Sequence, residues 1–215
     1  MNGFHALVLD FDGVVVESVE LKDRAFGELF RETHPDRVDD IARFQSQIAG
    51  RSRYERFPLI YEFLGLPFDE GEADGLDRRL SELLFESVAT CPFVRGAREL
   101  IERRSLDLPV YIASATPEPE VRKLVEARGL APLVRAAYGA PRHKADNLRR
   151  IAREEGCHPG RLLFVGDSAT DERAAFEAGV RFVGRVPPGA ASPFERMPPV
   201  IGDLAELDRI WPTLS

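Results

Sequence analysis

Cysteine is scarce in this 215-residue chain. Cys91 and Cys157 stand far apart and belong to no Cys-x-x-Cys pair, which excludes a disulfide framework and a cysteine-ligated metal site. No apolar run is long enough to span a bilayer, and no charged-then-apolar leader with a cleavage pattern opens the chain. Positive charge is also short: 29 Lys and Arg face 36 Asp and Glu, for a net charge of −7 and a pI near 5.3. That balance argues against general affinity for nucleic acid or an anionic membrane. Internal repeats and low-complexity tracts are missing too. What these absences leave is a reduced, cytoplasmic protein of ordinary composition, 44% apolar and 30% charged. An anionic ligand would need local cations or a metal ion.

What is present is alternation. Short runs rich in β-branched residues, "HALVLDF", "LPVYIASAT", "VRAAYGA", "RLLFVGDS" and "RFVGRV", read as strands. The later ones are separated by helical patterns, "PEPEVRKLVEARG", "HKADNLRRIAREEG" and "ATDERAAFEAG". Gly129 and Gly179 close two of these helices as C-terminal caps. Strand–helix alternation predicts an α/β fold, a doubly wound parallel sheet covered on both faces. From about Ser18 to Thr90 the periodicity is helical throughout, as in "ELKDRAFGELFRE", "RYERFPLIYEFLG" and "LDRRLSELLFESV". The expected organisation is a core of residues 1–16 and 91–215 with an inserted helical cap, residues 17–90. The insertion leaves from the carboxyl end of the first strand, where open α/β sheets bind ligands.

The strand ends carry the chemistry. "LVLDFDGVVVES" runs an apolar strand into Asp10 and Asp12, two like charges one residue apart that need a positive partner if buried. The second strand ends at Ser114, with Thr116 as expected N-cap and Pro117 as first helical residue, so that backbone N–H groups point at an anion. Lys144 opens the helix after the third strand. Asp167 ends the fourth, and Asp171 follows at a helix start. A hydroxyl, a lysine and four carboxylates thus converge on one sheet edge. Hard carboxylate oxygens are what magnesium prefers, and a lysine offers compact positive charge to a phosphate.

In this order the motifs "DFDG", Ser114, Lys144 and "GDSATD" resemble the haloacid dehalogenase superfamily over nearly the whole chain. The cap resembles the small helical type found in its phosphoglycolate phosphatase and β-phosphoglucomutase branch. The resemblance implies that Asp10 attacks phosphorus and forms an aspartyl-phosphate. It implies that Asp12 protonates the leaving oxygen and then deprotonates water. Mg²⁺ would be held by Asp10, the Asp12 backbone carbonyl and Asp167, with Asp171 nearby. Ser114, the Ala115 N–H and Lys144 would bind the phosphoryl oxygens.

Asp12 marks a phosphatase or phosphomutase rather than a dehalogenase. In "GRSRYERF", Arg53 matches a cap arginine that contacts substrate. Pro117 and Glu118 stand where the mutase has a Lys-Asn pair, and Lys22 where it has a hinge histidine, so a phosphatase acting on a small phosphorylated metabolite, sugar phosphates included, is expected over a mutase. A response-regulator receiver shares the sheet and the metal. It would need an acid at the end of the third strand, where this chain has Tyr138 and Gly139.

Overall fold

The computed structural model describes residues 3–48 and 50–214. Six parallel strands form one sheet: β1 (Ala6–Leu9), β2 (Val110–Pro117), β3 (Ala136–Ala140), β4 (Leu162–Gly166), β5 (Arg181–Arg185) and β6 (Val200–Ile201), in the order β3-β2-β1-β4-β5-β6. β1 is central, Leu7 pairing with Val110 on one side and Leu163 on the other. Because both faces are covered, β1 shows no polar alternation and all four of its residues are buried. Its side chains alternate between two apolar layers. Leu7 and Leu9 pack with Leu100, Ile101 and Leu124; Ala6 and Val8 pack with Leu148, Ile151 and Ala175.

The first layer is served by α5 (Ala97–Arg104), α6 (Glu118–Ala127) and α9 (Leu204–Leu214), the second by α7 (Lys144–Glu154) and α8 (Ala169–Ala178). β6 and α9 were not expected from the sequence. Two residues make too short a strand to show a period, and α9 carries Pro212 inside it.

Between β1 and α5 the described chain is helical: α1 (Val19–Leu29), α2 (Val38–Gln47), α3 (Arg53–Leu64) and α4 (Ala73–Thr90), with short 3-10 turns. α3 starts where Glu55 accepts the Ser52 N–H at 2.9 Å, and ends on Gly65 in the left-handed region. Phe26, Phe57, Leu80 and Leu84 bury the inner faces of these helices in the same apolar cluster as Leu7. Each such side chain contributes about 1.5–3 kcal/mol of burial.

The two strands of chain joining the helices to the sheet are bonded to each other. The Glu17 N–H donates to the Pro92 carbonyl at 2.9 Å and the Val94 N–H to that of Val15 at 3.0 Å. The helical segment is therefore hung over the carboxyl ends of β1 and β4. That is where strand order reverses, β1 leading to β2 and β3 in one direction and to β4 and β5 in the other.

Candidate active site

Asp10 follows β1 directly and keeps its ladder, its N–H donating to the Val165 carbonyl at 2.9 Å. One carboxylate oxygen accepts the Phe11 N–H at 2.7 Å; the other lies 2.9 Å from Lys144 Nζ. Lys144 begins α7 and also binds Asp171. Asp171 is buried in the first turn of α8. Its Oδ1 meets Lys144, while its Oδ2 accepts from the Ser168 Oγ at 2.6 Å and from the N–H groups of Asp167 and Ser168. Both of its oxygens are engaged, and it fixes Lys144 and the loop that carries Asp167.

Asp10, Asp167 and Asp171 each place a carboxylate oxygen within 4.8 Å of the others. Burial pushes Asp10 up to about 7, with Asp171 and Asp12 adding to the rise and Lys144 opposing it. Asp167 is raised well above its ordinary value by burial and by Asp10 and Asp171. For Lys144 burial works the other way, but Asp10 and Asp171 outweigh it and hold the amine above its usual range. One lysine thus serves three acids, and the cluster is short of positive charge. Hard oxygens in that state fit a small divalent cation.

Gly13 makes the approach of the two loops possible: its φ is +72°, and a Cβ there would lie 1.9 Å from Asp167 Oδ2.

Asp12 faces the other way. Its carboxylate lies outside the three-acid cluster, paired with Lys22 Nζ and accepting from Ser18 Oγ at 2.6 Å and Thr116 Oγ1 at 3.0 Å. Burial alone would raise it, but Lys22 and these hydrogen bonds hold it below the usual carboxylate range. The two neighbouring aspartates are therefore tolerated because each has its own cation, Lys144 from the sheet side and Lys22 from the helical segment.

Ser114 Oγ sits 3.5 Å from Asp12 Oδ2 and accepts the Thr116 N–H at 3.0 Å. Thr116 corrects an expectation: β2 runs through it to Pro117, which is itself the N-cap of α6, and the threonine hydroxyl turns to Asp12 and Lys22 instead.

A cavity of about 790 Å³ opens beside these groups, bounded by Asp10, Asp12 and Asp167 below and by Phe26, Leu80 and Arg56 from the helices above. A smaller one of about 190 Å³ adjoins Ser114, Ala115, Lys144 and Asp171. Gly50 and Arg51 line both.

Arg53, expected to contact substrate, lines the larger cavity, but its guanidinium is engaged within the protein. It is 5% exposed, and its guanidinium donates to Asp77 Oδ1 at 2.9 Å, Ser81 Oγ at 2.6 Å and Glu120 Oε1 at 2.8 Å. Sequence reasoning missed Ser18 and the roles of Lys22, Thr116 and Arg56. Ser18 and Lys22 stand four apart, one helical turn, at the start of α1, a spacing that points both at the same acid.

The chain matches the family model described as haloacid dehalogenase-like hydrolase over residues 4–179. A stretch of 113 residues is 31% identical to the phosphoglycolate phosphatase of Shigella boydii serotype 4 (strain Sb227). It spans 50% of this chain and 44% of that protein, so the chain matches less than half the length of this relative. Among solved structures, β-phosphoglucomutase from Clostridium difficile superimposes with a TM-score of 0.80 at 16% identity, covering 98% of this chain and 97% of that one. CbbY from Rhodobacter sphaeroides, in complex with phosphate, does so with a TM-score of 0.72 at 22% identity, covering 95% and 96%. These last two likenesses concern the fold alone.

Proposed function

The chain belongs to the haloacid dehalogenase-like hydrolase family, and from that premise we propose that it is a Mg²⁺-dependent phosphatase of small phosphorylated metabolites. Residues 17–90 act as a lid over a core of residues 1–16 and 91–215. The observation that carries this reading is the opposite surroundings of a buried and a partly buried aspartate one residue apart. Asp10 is oriented by the Phe11 N–H and Lys144 beside an electron-rich oxygen cluster, as a nucleophile at phosphorus needs. Asp12 faces away from that cluster, its carboxylate fixed in place by two hydroxyls and a lysine, as the orientation of a group that passes protons needs.

In this reading the phosphomonoester enters with phosphorus against the free side of the Asp10 carboxylate. Ser114 Oγ, the Ala115 N–H and Lys144 Nζ hold its peripheral oxygens. Asp10 attacks, the bond from phosphorus to the leaving oxygen breaks, and Asp12 supplies the proton that makes the alcohol. Asp12 then takes a proton from the water that attacks the aspartyl-phosphate, releasing phosphate and restoring Asp10. Asp10 and Asp167, with the Asp12 carbonyl, would hold Mg²⁺, which when bound offsets the negative charge of the phosphoryl oxygens. Asp171 keeps Lys144 and the Asp167 loop in place.

A mutase must also grip a second phosphate. Glu118 and Glu120 at the start of α6, and an Arg53 already neutralised by Glu120, oppose that. Hydrolysis of p-nitrophenyl phosphate that requires Mg²⁺, stops with chelator and is absent in Asp10→Asn is the expected result. Chelator-resistant turnover by the wild type would overturn the reading.

A further inference from the structure

Residues 11–17 form a tight turn between β1 and α1. The N–H groups of Val15 and Val16 donate to the Phe11 carbonyl at 2.9 and 3.1 Å, and the Gly13 N–H donates to that of Val16 at 2.8 Å. In a planar trans peptide the carbonyl opposes the N–H, so the last of these bonds also sets where the Asp12 carbonyl points. Gly13 is the weak point of the turn. A glycine rotates about its own bonds more freely than any other residue, so the peptide that follows it needs a second anchor.

Arg185 supplies that anchor. It ends β5, is 5% exposed, and donates from Nη1 to the Gly13 carbonyl at 3.1 Å. The same guanidinium grips both oxygens of Glu17, from Nη1 at 3.1 Å and from Nη2 at 2.7 Å, while its Nε donates to the Gly202 carbonyl at 3.1 Å. One planar fork thus holds the turn at Gly13 and at Glu17 against the sheet. Strand register puts this fork beside the acids. Gly166 pairs with Gly184, so Asp167 and Arg185 are the next residues of neighbouring strands, and Gly13 itself packs against Asp167. An unpaired arginine at this place would repel a cation, and Glu17 cancels that charge.

We infer that Arg185 is a positioning residue for the metal site. By anchoring the Gly13 peptide it fixes the Asp12 carbonyl for a divalent cation shared with Asp10 and Asp167, and Glu17 lets it do so without repelling the ion. This rests on the Mg²⁺ assignment of the phosphatase reading. It goes beyond it to a residue outside the acid cluster that sets how tightly the ion is held.

Arg128 shows what a purely structural role looks like. It is 9% exposed, lies over the Phe93 ring, and clamps the other linker, donating to the Ala89 and Cys91 carbonyls at 2.9 and 2.6 Å. None of its hydrogen bonds among the described residues reaches the 11–17 turn. Loss of either arginine loosens the attachment of the helical segment, but only loss of Arg185 weakens the hold on the ion.

The test is calorimetric titration of the full chain with Mg²⁺ alone, without substrate, beside the melting temperature of the unloaded protein. Arg185→Met should raise the Mg²⁺ dissociation constant about tenfold or more, the usual weight of a group that orients a metal ligand. Arg185→Lys keeps the charge but lacks the fork, and should fall between the two. Arg128→Met, which shares no partner with the turn, should stay within about twofold of wild type whatever its melting temperature. Turnover of p-nitrophenyl phosphate should follow, with Arg185→Met needing about tenfold more Mg²⁺ for half its maximal rate and keeping its KM at saturating Mg²⁺.

If Arg185→Met melts lower yet binds Mg²⁺ as the wild type does, or if Arg128→Met weakens the ion equally, Arg185 supports only the fold and the inference is overturned. Should Arg185→Met fail to fold, Glu17→Gln decides. It keeps the arginine but breaks the fork and leaves its charge uncancelled, so Mg²⁺ should bind about threefold or more weakly. Unchanged binding would overturn the inference. These failures leave the phosphatase reading standing, whereas a wild type that takes up no Mg²⁺ overturns the metal assignment and this inference together.

Discussion

Arg53 of α3 and Glu120 of α6 meet at 2.8 Å across the boundary between the helical segment and the sheet layer, both nearly excluded from solvent. Ser81 on α4 joins them, donating to Glu120 Oε2 at 2.7 Å while accepting from Arg53. Three helices are thus tied by one buried polar knot. Its energetic weight follows from what is left when a member is removed, because a buried charge stripped of a partner keeps its desolvation cost.

Glu120→Ala should therefore lower unfolding stability by about 3 kcal/mol, with Asp77 retaining part of the Arg53 charge. Denaturant titration monitored by helical signal measures it. A change within about 0.5 kcal/mol would show the bridge to be no stronger than a surface pair.

That knot shows where the sequence stopped being legible. Asp10, Asp12, Asp167 and Lys144 were readable because each sits at the end of an apolar run or the start of a helix, and parallel topology brings all such ends to one edge. Arg53 was placed on the right element, but its partner lies 67 residues away and no local pattern encodes that pairing. Thr116 was misread because its position before a proline looks like a cap, whereas the strand continues and a distant lysine claims its hydroxyl. α2, "VDDIARFQSQ", falls within the stretch expected to be helical, and it packs against α1.

Metal should stabilise the fold as well as enable turnover. Asp10 raises the Asp167 carboxyl and Asp171 raises both in the same buried cluster, so a cation binding there offsets a repulsion present in the folded chain alone. At about a hundred times its dissociation constant, Mg²⁺ should add about 2.7 kcal/mol. For a domain of this size that raises the melting temperature by about 5–10 °C. Asp167→Asn should lose most of the increase. An identical Mg²⁺ shift in wild type and Asp167→Asn would place the ion elsewhere.

The proposed nucleophile, Asp10, and the proposed proton carrier, Asp12, should separate in their failures. Asp10→Asn should lose turnover by about a thousandfold or more, with far-UV and near-UV spectra unchanged. Asp12→Asn should slow both appearance of the alcohol and release of phosphate. Single-turnover measurement of the two products is the check. A folded Asp10→Asn protein that retains Mg²⁺-dependent turnover would remove the covalent route.

Lys22 should matter through Asp12. It reaches from α1 to the Asp12 carboxylate and to Thr116 Oγ1 at 2.6 Å, so Lys22→Met leaves that acid held by hydroxyls alone. The expected loss is about tenfold or more in kcat with little change in KM, because the proposed proton carrier loses its fixed position while the proposed phosphate-binding groups, Ser114, Ala115 and Lys144, are untouched. A rise in KM at constant kcat would instead make Lys22 a substrate-binding group.

Gly50 offers a test of how closely the helical segment, the proposed lid, must seat. It lies in the loop before α3 with φ of +77°, a conformation that L side chains rarely adopt. A Cβ there would stand 1.8 Å from Thr170 Oγ1 and 2.3 Å from Ser168 Oγ, at the start of α8. Ser168 is the residue whose hydroxyl holds Asp171 Oδ2, and Asp171 holds Lys144. Gly50→Ala therefore has two effects with different readouts. The backbone strain costs about 1–2 kcal/mol of stability. The collision pushes the loop off α8 or turns Ser168 away from Asp171, and either change loosens the seating of the lid over the sheet edge. Turnover should fall by about tenfold or more even well below the melting temperature, for aryl and alkyl phosphates alike, since what is disturbed is common to both. A Gly50→Ala protein that loses stability but keeps wild-type kcat/KM at low temperature would show that chemistry at Asp10 does not depend on this contact.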